Sequence, residues 1–121
     1  MAHDNLMVSS LSQMKKYTVL GNGSWSSALV KILTDNEVAV NWWMRSEESV
    51  EHLNTHTHNP HYLTSVEYDP EYIFPTTDLH EAIKDGEIIL IGIPSAYVPI
   101  VMDKLPTTIF QNKKVLSATK G

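Results

Sequence analysis

The sequence lacks cysteine, basic runs and long apolar stretches, and each absence excludes a class of site or partner. Its 121 residues include no cysteine, so a disulfide framework and a thiolate zinc site are both excluded. It has no basic run that could follow a phosphate backbone, and its formal net charge is −5, so nucleic acid is not expected as a partner. No apolar stretch approaches the roughly 20 residues of a membrane-spanning helix.

The N-terminus also lacks the basic start and apolar centre of a secretory signal. We therefore expect residues 1–15 to be a flexible tail and the protein to be cytoplasmic. Hydrophobic residues make up 42% and charged residues 19%, which is an ordinary globular composition. A chain of this length has room for one domain with a core, over residues 16–121, and not for two.

Short apolar runs alternate with helical patterns along the chain. Five runs are predicted strands: YTVL (17–20), EVAVNWWM (37–44), YIFP (72–75), EIILIGI (87–93) and KKVLSA (113–118). Between the first two, five apolar residues at helical spacing predict the buried face of a helix: Trp25, Ala28, Leu29, Ile32 and Leu33. This alternation predicts a Rossmann-type α/β fold, an open, twisted, mostly parallel sheet with helices on both faces.

The starts of two later helices carry capping residues. Ser46 precedes two glutamates that suit the positive first turn of a helix. Asp78 followed by Glu81 resembles a capping box. Helices are therefore predicted to begin near residues 47 and 79.

The glycine turn after the first strand carries the strongest functional signal. Gly21 permits a sharp turn, and Gly23 lets the backbone and the positive end of the following helix approach a pyrophosphate. Ser26 stands where a dinucleotide loop has its third glycine, which serves close helix–strand packing, so we expect this change to be tolerated. A plain strand-to-helix turn is the alternative interpretation.

The residues that end the second strand bear on the cofactor. Arg45 lies near the position where an acidic residue would favour the ribose of NAD. A guanidinium there can stack on adenine or pair with the 2′-phosphate of NADP, although a solvated surface arginine is the alternative. Glu47 and Glu48 lie close to Arg45 in the sequence, so the sequence does not decide between NAD and NADP as the cofactor. Trp42 and Trp43 are consecutive in a strand, so we expect them to pack on opposite faces of the sheet.

Other candidate sites are weaker. His56, His58 and His61 could ligate zinc, but no carboxylate or cysteine is interleaved, so a polar loop is the better interpretation and no metal is expected. Ser24 does not lie in a G-x-S-x-G nucleophile turn, and no Gly-Lys pair of a P-loop follows the glycines.

Four segments together resemble the N-terminal domain of NAD(P)-dependent glycerol-3-phosphate dehydrogenases. They are VLGNGSWSSAL, WWMR, NTHTHNPHYL, and IGIPSAYV followed by LSATKG. The resemblance covers about residues 16–121. Glycine loops are common, but Gly-Ser-Trp, Asn-Pro-x-Tyr-Leu and Thr-Lys-Gly in this order are specific.

The resemblance implies a cofactor site for NAD or NADP. Its loop would comprise Gly21, Asn22 and Gly23, and the backbone of Ser24 and Trp25 would lie against the pyrophosphate.

Arg45 would contact the adenosine half of the cofactor, and Pro94 and Ser95 would border its nicotinamide. Lys120, by pattern alone a solvated charge, would lie where cofactor and substrate meet and hold the developing alkoxide and the substrate phosphate.

The implied chemistry is reversible hydride transfer between dihydroxyacetone phosphate and sn-glycerol 3-phosphate. The family's helical second domain, with its acid/base lysine, lies outside these 121 residues. We therefore expect a fragment of a longer enzyme, with no catalytic residue of its own and no turnover alone. The cofactor domain of another hydroxy-acid or alcohol dehydrogenase and a non-catalytic NAD(P)-sensing module are the alternatives. A homodimer through an apolar contact also stays open.

Overall fold

The structure, a computed structural model, describes residues 16–56 and 67–117. This part of the chain contains five strands: β1 (Tyr17–Leu20), β2 (Val40–Trp43), β3 (Ile73–Thr76), β4 (Ile88–Ile91) and β5 (Lys114–Ser117). It also contains four α-helices: α1 (Ser24–Asp35), α2 (Glu47–His56), α3 (Leu79–Asp85) and α4 (Val98–Met102). A 3-10 turn at Ser95–Tyr97 leads into α4. The predicted tail at residues 1–15 lies outside the described residues.

All five strands are parallel, in the order β3-β2-β1-β4-β5. The chain steps outward from β1 to β3 and then returns to place β4 on the other side of β1. The strand order therefore reverses between β1 and β4, whose carboxyl ends lie side by side at Leu20 and Ile91. This is the order of a Rossmann-type fold, so the predicted fold class is confirmed.

Helices cover both faces of the sheet. Val19 and Trp42 belong to the apolar cluster that α1 and α2 complete, whereas Leu20 and Trp43 belong to the cluster that α3 and α4 complete. Successive strand residues point to opposite faces, so a run buried on both sides must be apolar throughout. The predicted placement of the two tryptophans on opposite faces is confirmed.

The predicted buried face of α1 is wrong in part. Trp25 and Ile32 are 49% and 59% exposed, and Ala28 is exposed too. The residues that α1 buries are instead mostly small and polar: Ser26, Ser27, Val30 and Thr34. Small side chains let the helix lie close to the sheet, and their hydroxyls can bond to backbone carbonyls, as Thr34 Oγ1 does with Val30 O at 2.9 Å.

Both predicted helix caps are present. The backbone N–H of Ser49 donates to Ser46 Oγ at 3.4 Å, and two glutamates occupy the first turn of α2. The backbone N–H of Glu81 donates to Asp78 Oδ1 at 3.1 Å. These bonds satisfy N–H groups that have no partner inside their helix.

Some element bounds differ from the predicted ones. Strand β2 begins at Val40 rather than at residue 37, because Glu37 turns the chain with a positive φ of 60°. Strand β4 is confined to Ile88–Ile91. No helix within residues 16–56 and 67–117 is long and apolar enough to cross a membrane.

Candidate functional site

A cleft opens where the strand order reverses. Its first cavity, of about 300 Å³, lies between the loop after β1 and the segment after β4. The lining residues are Gly21, Asn22, Gly23, Trp43, Arg45, Gly92, Ile93, Pro94 and Tyr97. Ligands of open α/β sheets bind at this position, beyond the carboxyl ends of the strands at the reversal of strand order.

Strand β2 fixes the glycine loop through two hydrogen bonds to Gly21. Gly21 has a φ of 106°, which favours glycine, and its N–H donates to Trp43 O at 2.9 Å. The indole Nε1 of Trp42 donates to Gly21 O at 2.7 Å. Both backbone polar groups of Gly21 are thus bonded to the neighbouring strand, so the turn is held in one conformation.

Trp42 is itself held by a second aromatic ring. Tyr68 meets Trp42 edge to face, with ring centroids 5.0 Å apart, and its hydroxyl donates to Ser27 O at 2.9 Å. Burial raises the pKa of Tyr68 to about 12, against a lowering contribution from its hydrogen bond to Ser27. The glycine loop is therefore supported by a buried edge-to-face pair of aromatic side chains.

The N-terminus of α1 is open to a ligand. Gly23 precedes the helix without a side-chain cap, and the first turn has no acidic residue, whereas Ser46 and Asp78 cap the next two helices. A Cβ on Gly23 would meet nothing within 4 Å. The N–H groups of Ser24 and Trp25 have no acceptor within the helix because they belong to its first turn. This arrangement fits the pyrophosphate of a dinucleotide.

A second cavity, of about 370 Å³, adjoins the first. It is lined by Trp43, Arg45, Leu79, Tyr97, Ile100 and Val101, of which only Arg45 is charged. The guanidinium carbon of Arg45 lies 5.8 Å from the centroid of the Tyr97 ring, within the range of a cation–π contact. An apolar cavity beside one cation suits a flat aromatic base whose sugar carries a hydroxyl or phosphate.

The predicted site residues separate into three groups. Gly21, Asn22, Gly23, Arg45 and Pro94 come together around the first cavity. Ser24 and Trp25 begin α1, and Ser95 begins the 3-10 turn, and these three are exposed without being among the lining residues. Lys120 lies outside the described residues.

The metal hypothesis has no counterpart in the described part of the chain. Within residues 16–56 and 67–117, no group of three or more histidine, cysteine, aspartate or glutamate side chains could hold a metal ion. His58 and His61 lie outside the described residues, as does the side chain of His56.

Sequence patterns missed several lining residues, notably Tyr97, Gly92 and Ile100. Gly92 carried a signal, because a glycine at the end of an apolar strand often marks a close approach of another backbone. Tyr97 carried a weaker one, as an aromatic residue in a turn just past a strand of the predicted sheet. Ile100 is 72% exposed, and no periodicity distinguishes it from an ordinary surface residue.

Comparison with known proteins identifies the family. The model of the NAD-dependent glycerol-3-phosphate dehydrogenase N-terminus matches residues 16–121. The chain belongs to this family. The resemblance seen in the four sequence segments is therefore confirmed, and nicotinamide dinucleotides are the cofactors for which the family's members are named.

A curated glycerol-3-phosphate dehydrogenase of this family, the NAD(P)+ enzyme of Limosilactobacillus reuteri, is 39% identical over 110 residues. That match covers 88% of this chain and 32% of the relative. The chain thus spans about a third of the length of the curated relatives that it matches.

Solved glycerol-3-phosphate dehydrogenases have the same architecture. The Plasmodium falciparum structure superposes with a TM-score of 0.74 and 28% identity, over 93% of this chain and 34% of that one. The Coxiella burnetii structure has a TM-score of 0.79 at 24% identity, over 90% of this chain and 33% of that one, and supports the fold alone.

Proposed function

We propose that this chain is the NAD(P)-binding part of a glycerol-3-phosphate dehydrogenase. The reaction would be reversible hydride transfer between dihydroxyacetone phosphate and sn-glycerol 3-phosphate. One observation carries the proposal: a cavity at the reversal of strand order, beside a helix N-terminus that no side chain caps. The family match of residues 16–121 supports it.

Each wall of the cleft has a proposed task. The loop from Gly21 to Gly23 and the first N–H groups of α1 would bind the pyrophosphate. Arg45 and the apolar cavity beside it would bind the adenosine half. When bound, the cofactor supplies or accepts the hydride, while the protein binds and orients it.

The nicotinamide end is proposed for the other wall. Pro94 lines the first cavity and Ser95 follows it, which supports a place for both at that end. Lys120 keeps its proposed role beside the substrate, which rests on the sequence motif alone.

The role of Arg45 is testable because it is the only arginine in the sequence. NADH and NADPH should be titrated separately into the purified chain and into Arg45→Ala. If the guanidinium pairs with a 2′-phosphate, NADPH affinity should fall about 10- to 100-fold and NADH affinity about 3-fold or less. Lys104→Ala, which removes an exposed cation outside both cavities, is the matched control.

The outcomes separate the two parts of the proposal. Equal losses for both nucleotides would contradict a 2′-phosphate contact and assign Arg45 to the shared adenosine. Failure of the unmodified chain to bind either nucleotide would contradict the cofactor function itself.

Four expectations about the whole protein accompany this proposal. A small phosphorylated substrate is supported by the names of the relatives, which are glycerol-3-phosphate dehydrogenases. A cytoplasmic location is supported by the absence of cysteine from the sequence. A homodimer and the absence of nucleic-acid binding stay predictions.

A further inference from the structure

Ser26 fills the space that Gly92 leaves empty. Ser26 is 1% exposed and lies on the inner face of α1, at the position of the third loop glycine. A Cβ built on Gly92 would overlap Ser26 Oγ and lie 3.3 Å from Ser26 Cβ. The two residues are therefore complementary in size, and any side chain at position 92 requires Ser26 to move.

The contact is one of volume rather than of hydrogen bonding. Ser26 Oγ is buried and has no hydrogen-bond partner among the described residues. A buried hydroxyl without a partner lowers stability, so the serine is not held there by a bond. Serine instead provides a side chain that fills the space left by the missing Cβ of Gly92.

Gly92 lies where the cleft wall, the loop and α1 meet. Its N–H donates to Leu20 O at 2.9 Å, and its carbonyl oxygen lies 3.1 Å from the position of a Cβ on Gly21. Both Gly21 and Gly92 line the first cavity. A change in the Ser26–Gly92 contact would therefore shift α1 relative to both walls of the cleft.

We propose that Ser26 and Gly92 form a compensating pair that positions the cofactor cleft. In this chain the glycine of the contact lies at the end of β4, and the helix carries serine instead. The pair sets the distance between the N-terminus of α1 and the carboxyl end of β4. Its effect on cofactor affinity rests on the proposed function, whereas its effect on packing does not.

A graded series of variants tests the pair. Gly92→Ala is combined with Ser, Ala or Gly at position 26, and thermal unfolding is measured without cofactor. Gly92→Ala alone should lower Tm by about 3–10 °C, because Ser26 Oγ must move away from the new methyl and the contacts that remain are tight. Ser26→Ala should restore part of this loss, since its Cβ stays 3.3 Å away, and Ser26→Gly should restore most of it.

The double variant with Ser26→Gly should recover most, and not all, of the lost Tm. With Ser26→Gly, the nearest remaining neighbour of the new methyl is Leu20 O at 3.3 Å, which requires only a small adjustment. Gly86→Ala is the matched control, since its methyl would overlap Thr18 Oγ1 at a different contact. Ser26→Gly should leave the Tm loss of Gly86→Ala unrepaired.

NADH titration of the same proteins tests the positioning role. Gly92→Ala should weaken NADH binding at least about 10-fold, and the double variant with Ser26→Gly should return to within about 3-fold of the unmodified chain. A purely structural contact would change Tm without changing the affinity of the folded protein.

Each outcome tests either the packing of the pair or its role in positioning the cleft. If the Tm losses of Gly92→Ala and Ser26→Gly add up in the double variant, the pair is overturned. The same holds if both Gly92→Ala and the double variant fail to fold. Restored Tm with unchanged NADH affinity throughout would overturn the positioning role. If the unmodified chain binds no NADH, the proposed function fails, and the Tm series still decides whether the pair exists.

Discussion

The two walls of the cleft are stabilised in different ways. We call Gly21–Gly23 the loop wall and Gly92–Tyr97 the strand wall. The loop wall is bonded through Gly21 to Trp42 and to the backbone of Trp43, two residues that are 0% and 6% exposed. Behind it, Tyr68 packs on Trp42. The loop wall is therefore an extension of the apolar core.

Beyond Ile93, the strand wall is exposed to solvent. From Pro94 to Tyr97 every residue is exposed, and neither the 3-10 turn nor α4 contains a buried residue. Strand β5, next to β4, is exposed at all of its positions. The wall is attached to the core at its start, by the buried side chain of Ile93 and by the contacts of Gly92 with β1 and α1.

The difference separates the two tasks proposed for the cleft. The half proposed for the pyrophosphate is preorganised by core contacts, so binding there requires little ordering of the protein. The half proposed for adenine and nicotinamide includes exposed side chains such as Tyr97 and Ile100. Substitutions behind the loop wall should therefore change stability, and those at the exposed positions Pro94 to Tyr97 should change it little.

The largest effect is expected for Trp42→Ala. It removes a fully buried indole, its hydrogen bond to Gly21 and its contact with Tyr68, so the free energy of unfolding should fall by about 3–5 kcal/mol. Urea unfolding measures this loss. Trp25→Ala is the matched control, because that tryptophan is 49% exposed, and it should cost less than about 1 kcal/mol. Similar losses for the two would contradict the comparison.

Tyr68→Phe should have a smaller effect that depends on pH. Losing the hydroxyl that bonds to Ser27 O should cost about 1 kcal/mol near neutral pH. The pKa of Tyr68 is raised from 10.0 to about 12 by burial, so its contribution is complete below pH 10.0 and is lost as pH rises through about 12. The variant should therefore lose less stability than the unmodified chain over that interval.

The control for this prediction is Tyr97→Phe, which removes a hydroxyl from the exposed strand wall. At neutral pH this variant should lower the free energy of unfolding by less than about 0.5 kcal/mol. Identical alkaline unfolding curves for the unmodified chain and Tyr68→Phe would show that Tyr68 does not carry this dependence.

The smallest effect is expected at the sheet edge. Leu116 of β5 is aligned with Leu90 of β4, and the two are 58% and 8% exposed. Leu116→Ala should change the free energy of unfolding by less than about 1 kcal/mol, whereas Leu90→Ala should cost about 2–4 kcal/mol. Chemical unfolding of both variants measures the contrast. A large loss for Leu116→Ala would show that β5 is buried in solution.

Much of the fold could be predicted from the sequence because its signals are local. The strand Tyr17–Leu20 has the bounds that its apolar run predicted, and the caps at Ser46 and Asp78 form the expected bonds. The inner face of α1 was missed because apolar periodicity ignores small polar residues. Ser26 and Ser27 are buried because the helix lies close to the sheet, which is a tertiary property.

The candidate site could also be predicted only in part from the sequence. Gly21, Gly23 and Pro94 are close to strand ends in sequence, so the parallel topology alone brings them together. Tyr97 joins Arg45 only through the folded sheet, and no spacing in the sequence expresses that contact. Nor does the sequence show that Gly92 faces Ser26, because 66 positions separate residues that only the β1–β4 crossover brings into contact.

The close contact between Gly92 and Ser26 also constrains how this cleft can change through successive mutations. A lineage that exchanged serine and glycine for glycine and alanine would have to alter the helix first, because the reverse order passes through an overlapping intermediate. The route between these two pairs is therefore ordered, with the helix residue changing before the strand residue.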